Sequence, residues 1–410
     1  MQLLSEVEKK TQADLYIKQL QLHWLLQVTK AINYNLPSDQ LFEIYETVMR
    51  DHLRVNKLSL YVFEGEWKKM LAYGETEGSA LLNPVQHFPE LAGMQFTNDR
   101  MPEWVQGYES IIPVYHNQEP LAYAFIADLQ NDRIQNLKEI LPFIHTITNI
   151  IVVAIENKRL TRETINQAQM QKELELAARM QNMLFPAHLP SNKCIDLAAT
   201  YLPHQQVGGD YYDYIEISED ELLICLADVS GKGMSAALLM SNFQANLHAK
   251  TPSIKSLQQL IIALNASVNK SAKGEKFITV FLAVINTKTQ IIHYVNAGHN
   301  QPVLYINGTF TPLDKGTTGL GMFEELPFVN EGLAYFPKGA ILFCYTDGII
   351  EQENDKGEIF GLDKLTDLLK INADVYTMKD LHFRLIDEFR NFRKNVEGLD
   401  DVTLLSCRSV

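Results

Sequence analysis

The chain has 410 residues and a mass of 46.7 kDa, which is long for one domain and sufficient for two. Hydrophobic residues make up 46% and charged residues 21%, a balance that excludes a disordered or collagen-like chain. A formal net charge of -14 with no extended run of Lys or Arg argues against nucleic acid and anionic lipid as partners. Four scattered cysteines are too few for a disulfide framework or a zinc site, so we expect a cytoplasmic protein.

Residues 1–156 predict a small α+β domain. Helical periodicity across the first 35 residues places Leu15, Leu22 and Leu26 on one face. Further strands are predicted by alternating apolar residues, and a long helix begins near Leu137. The predicted strands are Lys57–Phe63, Ser110–Tyr115 and Leu121–Ala127. The most apolar stretch, Ile140–Ile155, is shorter than the roughly 20 residues that a membrane span needs, so we expect no membrane segment.

Residues 157–186 predict a linker helix. No Gly or Pro occurs between Asn157 and Leu184, and Pro186 then stops the helix. Apolar residues recur at heptad positions towards its C-terminal end, whereas polar residues dilute the same positions upstream. The apolar positions are Met170, Leu174, Ala177 and Leu184, and the polar ones are Asn157, Thr164 and Gln167. This pattern is compatible with a parallel coiled coil in a dimer and with one amphipathic helix lying on its own domain.

Residues 187–410 predict a second, layered α+β domain. Two predicted strands, Glu221–Val229 and Phe277–Ile285, are near-continuous hydrophobic runs, which is typical of strands covered on both faces. Two helices are predicted between them, and two more before the last strand. The remaining predicted elements are strands at Ile291–Asn296, Val303–Ile306, Ala340–Tyr345 and Val402–Ser406, and helices at Met234–Lys250, Ile254–Lys270, Leu362–Lys370 and Met378–Phe392.

Acidic residues recur in this domain where a strand meets a turn. They are Asp210, Asp228, Asp347 and the pair Asp400 and Asp401. A single aspartate beside glycine is usually a turn residue. Several carboxylates gathered at strand ends would repel one another unless a cation neutralised them, and ligands that are all oxygen atoms select Mg²⁺ or Mn²⁺. The pattern therefore indicates a two-metal site that activates water near neutral pH.

Three other motifs of phosphate-binding or phosphatase sites do not match the sequence, because the required residues are missing at the required positions. Lys232 is followed by Gly233 rather than by Ser or Thr, so the segment is not a P-loop. A cysteine-based phosphatase needs arginine six residues after its cysteine, and Cys194, Cys225 and Cys344 are followed at that position by other residues. The segment from Gly209 to Asp213 partly matches the metal box of calcineurin-like phosphatases, but Tyr214 stands where that box needs arginine.

Five boxes occur in order along the second domain. They are Gly208-Gly-Asp-Tyr-Tyr-Asp213, Asp228-Val-Ser-Gly-Lys-Gly-Met-Ser-Ala-Ala237, Asn296-Ala-Gly-His-Asn300, Tyr345-Thr-Asp-Gly348 and Asp400-Asp-Val-Thr403. Together they resemble the bacterial stage II sporulation protein E (SpoIIE) branch of the metal-dependent protein phosphatase 2C superfamily. The preceding segment from Glu173 to Pro186 resembles the helix that enters this domain in members that regulate sigma factors.

The resemblance implies a four-layer α-β-β-α sandwich with two mainly antiparallel sheets. It also implies hydrolysis of phosphoserine or phosphothreonine in a protein by water activated on two Mn²⁺ or Mg²⁺ ions, without a covalent enzyme intermediate. The implied catalytic residues are Asp228, Asp347 and Asp400, and the implied metal ligands are Asp210, Asp228, the carbonyl of Val229, Asp347 and Asp400. The implied substrate contacts are Lys232 and Gly231. Asp213 and Asp401 are further candidates, and a structural role is favoured for His299.

One departure from the eukaryotic pattern bears on the substrate. No arginine occurs between Arg179 and Arg384, so the bidentate phosphate clamp of the eukaryotic relatives has no counterpart. Metal ions would then carry most of the phosphate charge, and the enzyme would recognise a folded protein surface rather than a short peptide. The alternative function is a catalytically silent, partner-binding module of the same fold.

The first domain resembles a GAF sensor domain, in its element order and in Pro113–Asp128, which is similar to the paired late strands of that fold. No cysteine precedes Cys194 to attach a bilin or to bind an iron–sulfur cluster, so a ligand-free dimerisation domain is an alternative to a sensor. The resemblances imply a homodimer, formed through the GAF-like domain and the linker helix, whose substrate is a phosphorylated regulator of the anti-anti-sigma type.

Overall fold

The fold is given by a computed structural model, which describes residues 2–74, 95–96, 107–116, 119–129, 137–253, 256–373 and 375–410. The chain divides into two compact units, Met1–Ala168 and Gln169–Val410. Both units combine helices with mainly antiparallel sheets, which confirms the predicted α+β class.

The first unit contains a five-stranded antiparallel sheet of order β2-β1-β5-β4-β3. Its described elements are α1 (Gln2–Asn33), α2 (Ser38–Thr47), β1 (Val55–Phe63), β2 (Trp67–Tyr73), β3 (Gln95–Phe96), β4 (Ser110–His116), β5 (Glu119–Leu129) and α3 (Leu137–Asn182). The three predicted strands are confirmed as β1, β4 and β5. The segment Pro113–Asp128 covers β4 and β5, apart from residues 117–118, which lie outside the described residues.

The two faces of this sheet have different coverings, because alternate side chains on each strand point to opposite faces. Leu58 and Leu60 of β1 belong to a core that includes residues of α1, α2 and α3. Tyr61 of the same strand belongs to an aromatic cluster with Tyr123 and Phe125. The helix predicted for the first 35 residues is confirmed as α1. Its leucines at positions 15, 22 and 26 are exposed, whereas Val28 and Ala31 are buried.

Helix α3 is a single element that runs from the core of the first unit into the second unit. In the part of the chain that is described, one helical segment, Ile140–Asn182, is long and apolar enough to cross a membrane by length and composition, and half of its most apolar window is buried inside the protein. The predicted seam is wrong at Leu184, which lies beyond the end of α3 and packs against the core of the second unit. Met170, another seam position, is exposed.

The second unit contains two sheets. Its described helices are α4 (Met234–Lys250), α5 (Leu257–Ala272), α6 (Asp347–Ile350), α7 (Leu362–Asn372) and α8 (Met378–Arg393). Its strands are β6 (Ile195–Leu202), β7 (Tyr211–Glu216), β8 (Glu221–Val229), β9 (Ile278–Asn286), β10 (Ile291–Ala297), β11 (Val303–Ile306), β12 (Thr309–Pro312), β13 (Gly316–Thr317), β14 (Gly332–Tyr335), β15 (Ile341–Tyr345) and β16 (Val402–Ser409). The first sheet has the order β13-β10-β9-β8-β7, with β14 also paired to β10, and the second has the order β12-β11-β15-β16-β6.

Three hydrophobic clusters hold these elements together. The first joins α4 and α5 to the first sheet, the second contains residues of both sheets, and the third joins the second sheet to α7 and α8. On β9, Val280 and Leu282 belong to the first cluster, whereas Phe281 and Ala283 belong to the second. Burial on both faces explains why β8 and β9 read as continuous apolar runs although their pairing is antiparallel.

Candidate active site

The ends of two strand pairs bring the predicted acids together. Because β7 and β8 are antiparallel neighbours, Asp210 just before β7 lies at the same end of the first sheet as Asp228 near the end of β8. For the same reason Asp347, after β15, and Asp400, before β16, lie at one end of the second sheet. The hydroxyl of Thr346 donates to Oδ2 of Asp210 at 2.9 Å, so these two ends meet.

The acids are close enough to change one another's protonation. Burial raises the pKa of Asp228 to about 7, and the negative charges of Asp347, Asp400 and Asp401 add to this rise. Burial, followed by the charges of Asp228 and Asp401, raises the pKa of Asp210 well above its usual value. The pKa of Asp347 is raised mainly by burial, followed by the negative charges of Glu351 and Asp400. Carboxylates that disfavour one another's ionisation in this way would be stabilised by a cation.

Asp401 belongs to this group and is held by backbone amides. The N–H of His204 donates to its Oδ1 at 2.8 Å, and the N–H of Gly209 donates to its Oδ2 at 2.9 Å. Glycine is needed at position 209, because a Cβ there would lie 2.7 Å from the carbonyl oxygen of Val229. The backbone oxygen that was predicted as a ligand therefore lies against the turn that carries Asp210.

Two threonines support Asp210 and were not predicted. Thr346 and Thr403 both donate a hydroxyl hydrogen bond to its Oδ2. Thr346 lies in the box of Asp347 and Thr403 in the box of Asp400, so a threonine near each acid is the sequence signal that could have identified them. The side chain of Gln181 was also missed: it lies in the last turn of α3 and pairs with the backbone of Gly208. It lies within the segment Glu173 to Pro186, whose resemblance to a domain-entering helix gave no role to this residue.

The predicted substrate contacts lie beside the acids. The ammonium of Lys232 is 3.0 Å from Oδ2 of Asp400, and it also donates to the carbonyl of Leu399. In this arrangement Lys232 neutralises Asp400. Gly231 has a φ of +80°, and a Cβ there would lie 2.6 Å from the ammonium of Lys276, a second cation beside this loop.

Asp213 lies apart from the acidic group. Its Oδ2 is 2.5 Å from Nε2 of His248 on α4 and also accepts a hydrogen bond from the hydroxyl of Tyr211. A partner for its charge is therefore present within the protein. Of the two further candidates, the structure places Asp401 with the other acids and Asp213 against a helix.

His299 is buried and contacts β9 through Thr279. Its backbone N–H donates to Oδ1 of Asn296 at 2.7 Å, and its Nδ1 is 3.0 Å from the hydroxyl of Thr279. Thr279 is paired with Asp228 in the ladder between β8 and β9. Burial lowers the pKa of His299 to about 4, so the ring is neutral at pH 7. These contacts agree with the structural role favoured from the sequence.

The donor set fits a hard divalent cation in its chemistry. Within the described residues, no group of three or more His, Cys, Asp or Glu side chains is arranged to hold a metal ion as it stands. The contacts give the reason: Asp400 pairs with Lys232, Asp401 accepts backbone N–H groups, and Asp210 accepts hydroxyls. Asp228 and Asp347 remain as partly buried acids with raised pKa values, and oxygen ligands of this kind suit Mg²⁺ and Mn²⁺.

Comparison with known proteins agrees with this picture. Residues 218–409 match the family model of stage II sporulation protein E (SpoIIE). The chain is 27% identical over 246 residues to the phosphoserine phosphatase RsbU of Bacillus subtilis, a match that covers 59% of this chain and 71% of RsbU. It is 30% identical over 186 residues to the phosphoserine phosphatase RsbP of the same organism, covering 44% of this chain and 45% of RsbP. The chain thus spans less than half of RsbP.

Among solved structures, the fold is similar to the PP2C domain of SiaA from Pseudomonas aeruginosa, with a TM-score of 0.51 and 19% identity over 60% of this chain and 99% of that domain. At this identity the likeness concerns the fold alone. By the family model, residues 218–409 contain a SpoIIE-type domain, and the similarity of this region to two phosphoserine phosphatases agrees with that match.

Proposed function

We propose that the chain is a Mn²⁺- or Mg²⁺-dependent phosphatase that removes phosphate from phosphoserine or phosphothreonine in a folded regulatory protein. The observation that carries this proposal is the convergence of acids from two sheets, with burial and mutual repulsion raising the pKa of Asp228 to about 7. The α-β-β-α order of layers is part of the proposal, and it is supported by the three hydrophobic clusters.

The residues have distinct proposed roles. Asp228, Asp347 and Asp400 would hold two divalent ions, with Asp210 and the carbonyl of Val229 completing the donor set. Such ions polarise a phosphoryl oxygen and lower the pKa of a bound water. Asp401 keeps the turn at Gly209 in place through its backbone hydrogen bond, and Thr346 and Thr403 orient Asp210.

The proposed role of Lys232 has two parts: its ammonium pairs with an acid of the site, and it contacts the phosphate of the substrate. With no cation present its ammonium balances the charge of Asp400. If a bound ion balanced the charge of Asp400, the flexible side chain of Lys232 would be free to contact a phosphate oxygen at the rim of the site. Lys276, close to Gly231, would add positive charge on the same side.

The proposal is tested by comparing phosphoproteins in cells that carry the wild-type chain with those in cells that carry Asp228→Asn. A phosphoserine or phosphothreonine protein should accumulate in the mutant. Purified wild-type chain should then dephosphorylate that protein with Mn²⁺ and lose this activity with EDTA. The matched control is Asp220→Asn, at a partly exposed position just before β8, which should behave as wild type. Full activity of Asp228→Asn on the isolated protein would refute the proposal.

The substrate is proposed to be a phosphorylated anti-anti-sigma-type regulator. Two relatives are named phosphoserine phosphatases, and the catalytic unit lacks an arginine clamp for an isolated phosphate. We expect kcat/KM to be much higher on such a folded phosphoprotein than on a phosphopeptide with the same local sequence. Equal values would indicate that only the local sequence is recognised.

The first unit is proposed to be a GAF-like sensor or dimerisation domain of a cytoplasmic homodimer. Its antiparallel sheet, with helices on one face, supports this assignment. Exposed apolar side chains support dimerisation, because they occur on α1 and along α3, at Leu22, Ile165 and Met170 among others. Light scattering at micromolar concentration tests the dimer, and a monomer would refute it.

The alternative, a silent partner-binding module, has one observation in its favour. Lys232 pairs with Asp400, so an internal cation already neutralises one of the acids. A silent module would bind a partner protein without metal-dependent turnover, so the accumulation experiment separates the two functions.

A further inference from the structure

Gln181 is a buried polar residue at the end of a largely exposed helical segment. Only 6% of its surface is exposed. Its Nε2 donates to the carbonyl oxygen of Gly208 at 2.7 Å, and the N–H of Gly208 donates to its Oε1 at 3.2 Å. Both ends of the amide are thus paired with one residue. Because a buried amide without partners is costly, these bonds specify where the backbone of Gly208 lies relative to α3.

Gly208 in turn lies directly against Asp401. A Cβ at position 208 would be 2.0 Å from Oδ2 of Asp401 and 2.2 Å from the hydroxyl oxygen of Tyr201. The next residue, Gly209, donates its N–H to the same Oδ2 at 2.9 Å. Asp210 follows immediately. The position of this turn therefore sets the surroundings of two acids of the site.

The turn is held from two sides. Gln181 of α3 binds Gly208 from one side, and Asp401 accepts the N–H groups of Gly209 and His204 from the other. If the bonds from Gln181 were lost, the turn could move away from α3. Asp401 would then lose its fixed geometry, and Asp210 would change its distance from Asp228.

We propose that Gln181 is a positioning residue for cation binding: by holding Gly208 it keeps Asp401 and Asp210 in the arrangement in which the acids take up a divalent ion together. The inference rests on the proposed function, since it presupposes a cation site. It also gives α3 a direct connection to that site, because a displacement of the C-terminal end of α3 would move Gln181 and the turn with it.

The test is the affinity of the full chain for Mn²⁺, measured by isothermal titration calorimetry. Gln181→Met keeps the length of the side chain and removes both hydrogen bonds. We expect it to raise the Kd for Mn²⁺ by about 10- to 100-fold, as for other residues that orient metal ligands. The matched control is Gln171→Met, at an exposed position on the same helix, which should bind as wild type.

Kinetics separate positioning from a general loss of structure. In Gln181→Met the Mn²⁺ concentration for half-maximal phosphatase activity should rise by the same factor as Kd, whereas kcat at saturating Mn²⁺ should change little. Gly208→Ala displaces the same turn from the opposite side, and it should also weaken Mn²⁺ binding. If circular dichroism shows that Gln181→Met does not fold, Gln181→Asn replaces it, since its amide is one methylene too short to reach Gly208.

The outcomes distinguish this inference from the function on which it rests. Wild-type affinity in the folded Gln181 variant overturns the positioning role and leaves the phosphatase proposal standing. A wild-type chain that binds no Mn²⁺ overturns both.

Discussion

Asp210 and Asp213 lie three residues apart in one sequence box, and both are almost fully buried. Asp210 accepts hydroxyl hydrogen bonds from Thr346 and Thr403, and its carboxylate faces other acids. Asp213 faces α4, where its carboxylate meets the imidazole of His248. Near-identical burial therefore accompanies two different electrostatic surroundings.

The difference follows from strand geometry. Residues an odd number of positions apart point to opposite faces of a strand. The face of β7 that carries Asp213 is covered by α4, which supplies a basic partner. The end of the strand at Asp210 opens towards the second sheet, which supplies threonines and further acids. Burial alone therefore does not decide the surroundings of an aspartate: the partner of Asp213 comes from α4, whereas the partners of Asp210 come from the second sheet.

The largest effect is expected within the acidic group. Asp347→Asn removes a charge that the proposed ions need, so kcat should fall by more than about a hundredfold. Asp363→Asn, at an exposed position in the first turn of α7, is the control for the substitution itself and should keep wild-type kcat. Steady-state turnover of the isolated phosphoprotein with Mn²⁺ measures both. A kcat for Asp347→Asn close to that of the wild type would show that the acidic group contributes no more to turnover than other aspartates at strand ends.

Asp213→Asn should show the opposite profile. The substitution removes the negative charge that lies against His248 and weakens a buried hydrogen bond. The free energy of unfolding should therefore fall by about 1–3 kcal/mol. Urea unfolding measures this loss. Mn²⁺ affinity by calorimetry should stay at the wild-type value, because no contact joins Asp213 to the acidic group. Weaker Mn²⁺ binding in a folded Asp213→Asn chain would contradict the comparison.

His382 is a third buried titratable side chain to set beside Asp210 and Asp213, and its hydrogen-bond partners are hydroxyl groups. His382 lies between the hydroxyls of Thr200 and Ser406, and burial lowers its pKa to about 3. Below pH 6.5 the imidazole of His382 binds a proton in the unfolded chain, whereas in the folded chain it stays neutral until the pH approaches 3. Stability is therefore full above this pH and is lost as pH falls towards 3, by up to about 1.4 kcal/mol per pH unit.

The measurement is urea unfolding between pH 7 and 4, for wild type and for His382→Gln. Other groups also titrate in this range, including His299, whose pKa is lowered to about 4. The difference between the two chains isolates His382, and the variant should have the shallower dependence. Identical slopes would show that His382 does not remain neutral in the folded state.

The smallest effect is expected at the rim of the site. Lys232→Gln removes the internal cation from Asp400, which should strengthen Mn²⁺ binding. Both side chains are partly exposed, and pairs of this kind contribute about 0.2–1 kcal/mol, so the gain should stay below about fivefold. Calorimetry measures the change, with Lys288→Gln at an exposed ion pair as the control. A loss of Mn²⁺ affinity would mean that Lys232 does not compete with the ion.

Local sequence was enough to predict most strands and helices and the acids themselves. Strands β8 and β9 were recognisable because burial on two faces leaves a continuous apolar run, and the helices because of their periodicity. Asp228 and Asp347 were recognisable because the acids adjoin strand ends in ordered boxes. These features depend on neighbours within a few residues, and such neighbours are visible in the chain.

Contacts between distant segments were not predictable in this way. The exposure of the leucine face of α1 was not predictable, because helical periodicity marks an apolar face without saying which other element covers it. Leu184 was assigned to a helix seam, but the helix ends at Asn182 and Leu184 packs against the core of the second unit. Pro186 prevents the helix from continuing past it but does not specify the last helical residue. The bond from Gln181 to Gly208 joins residues 27 positions apart. Nothing in either residue's local sequence encodes this bond, which exists because the end of α3 and the glycine turn pack together.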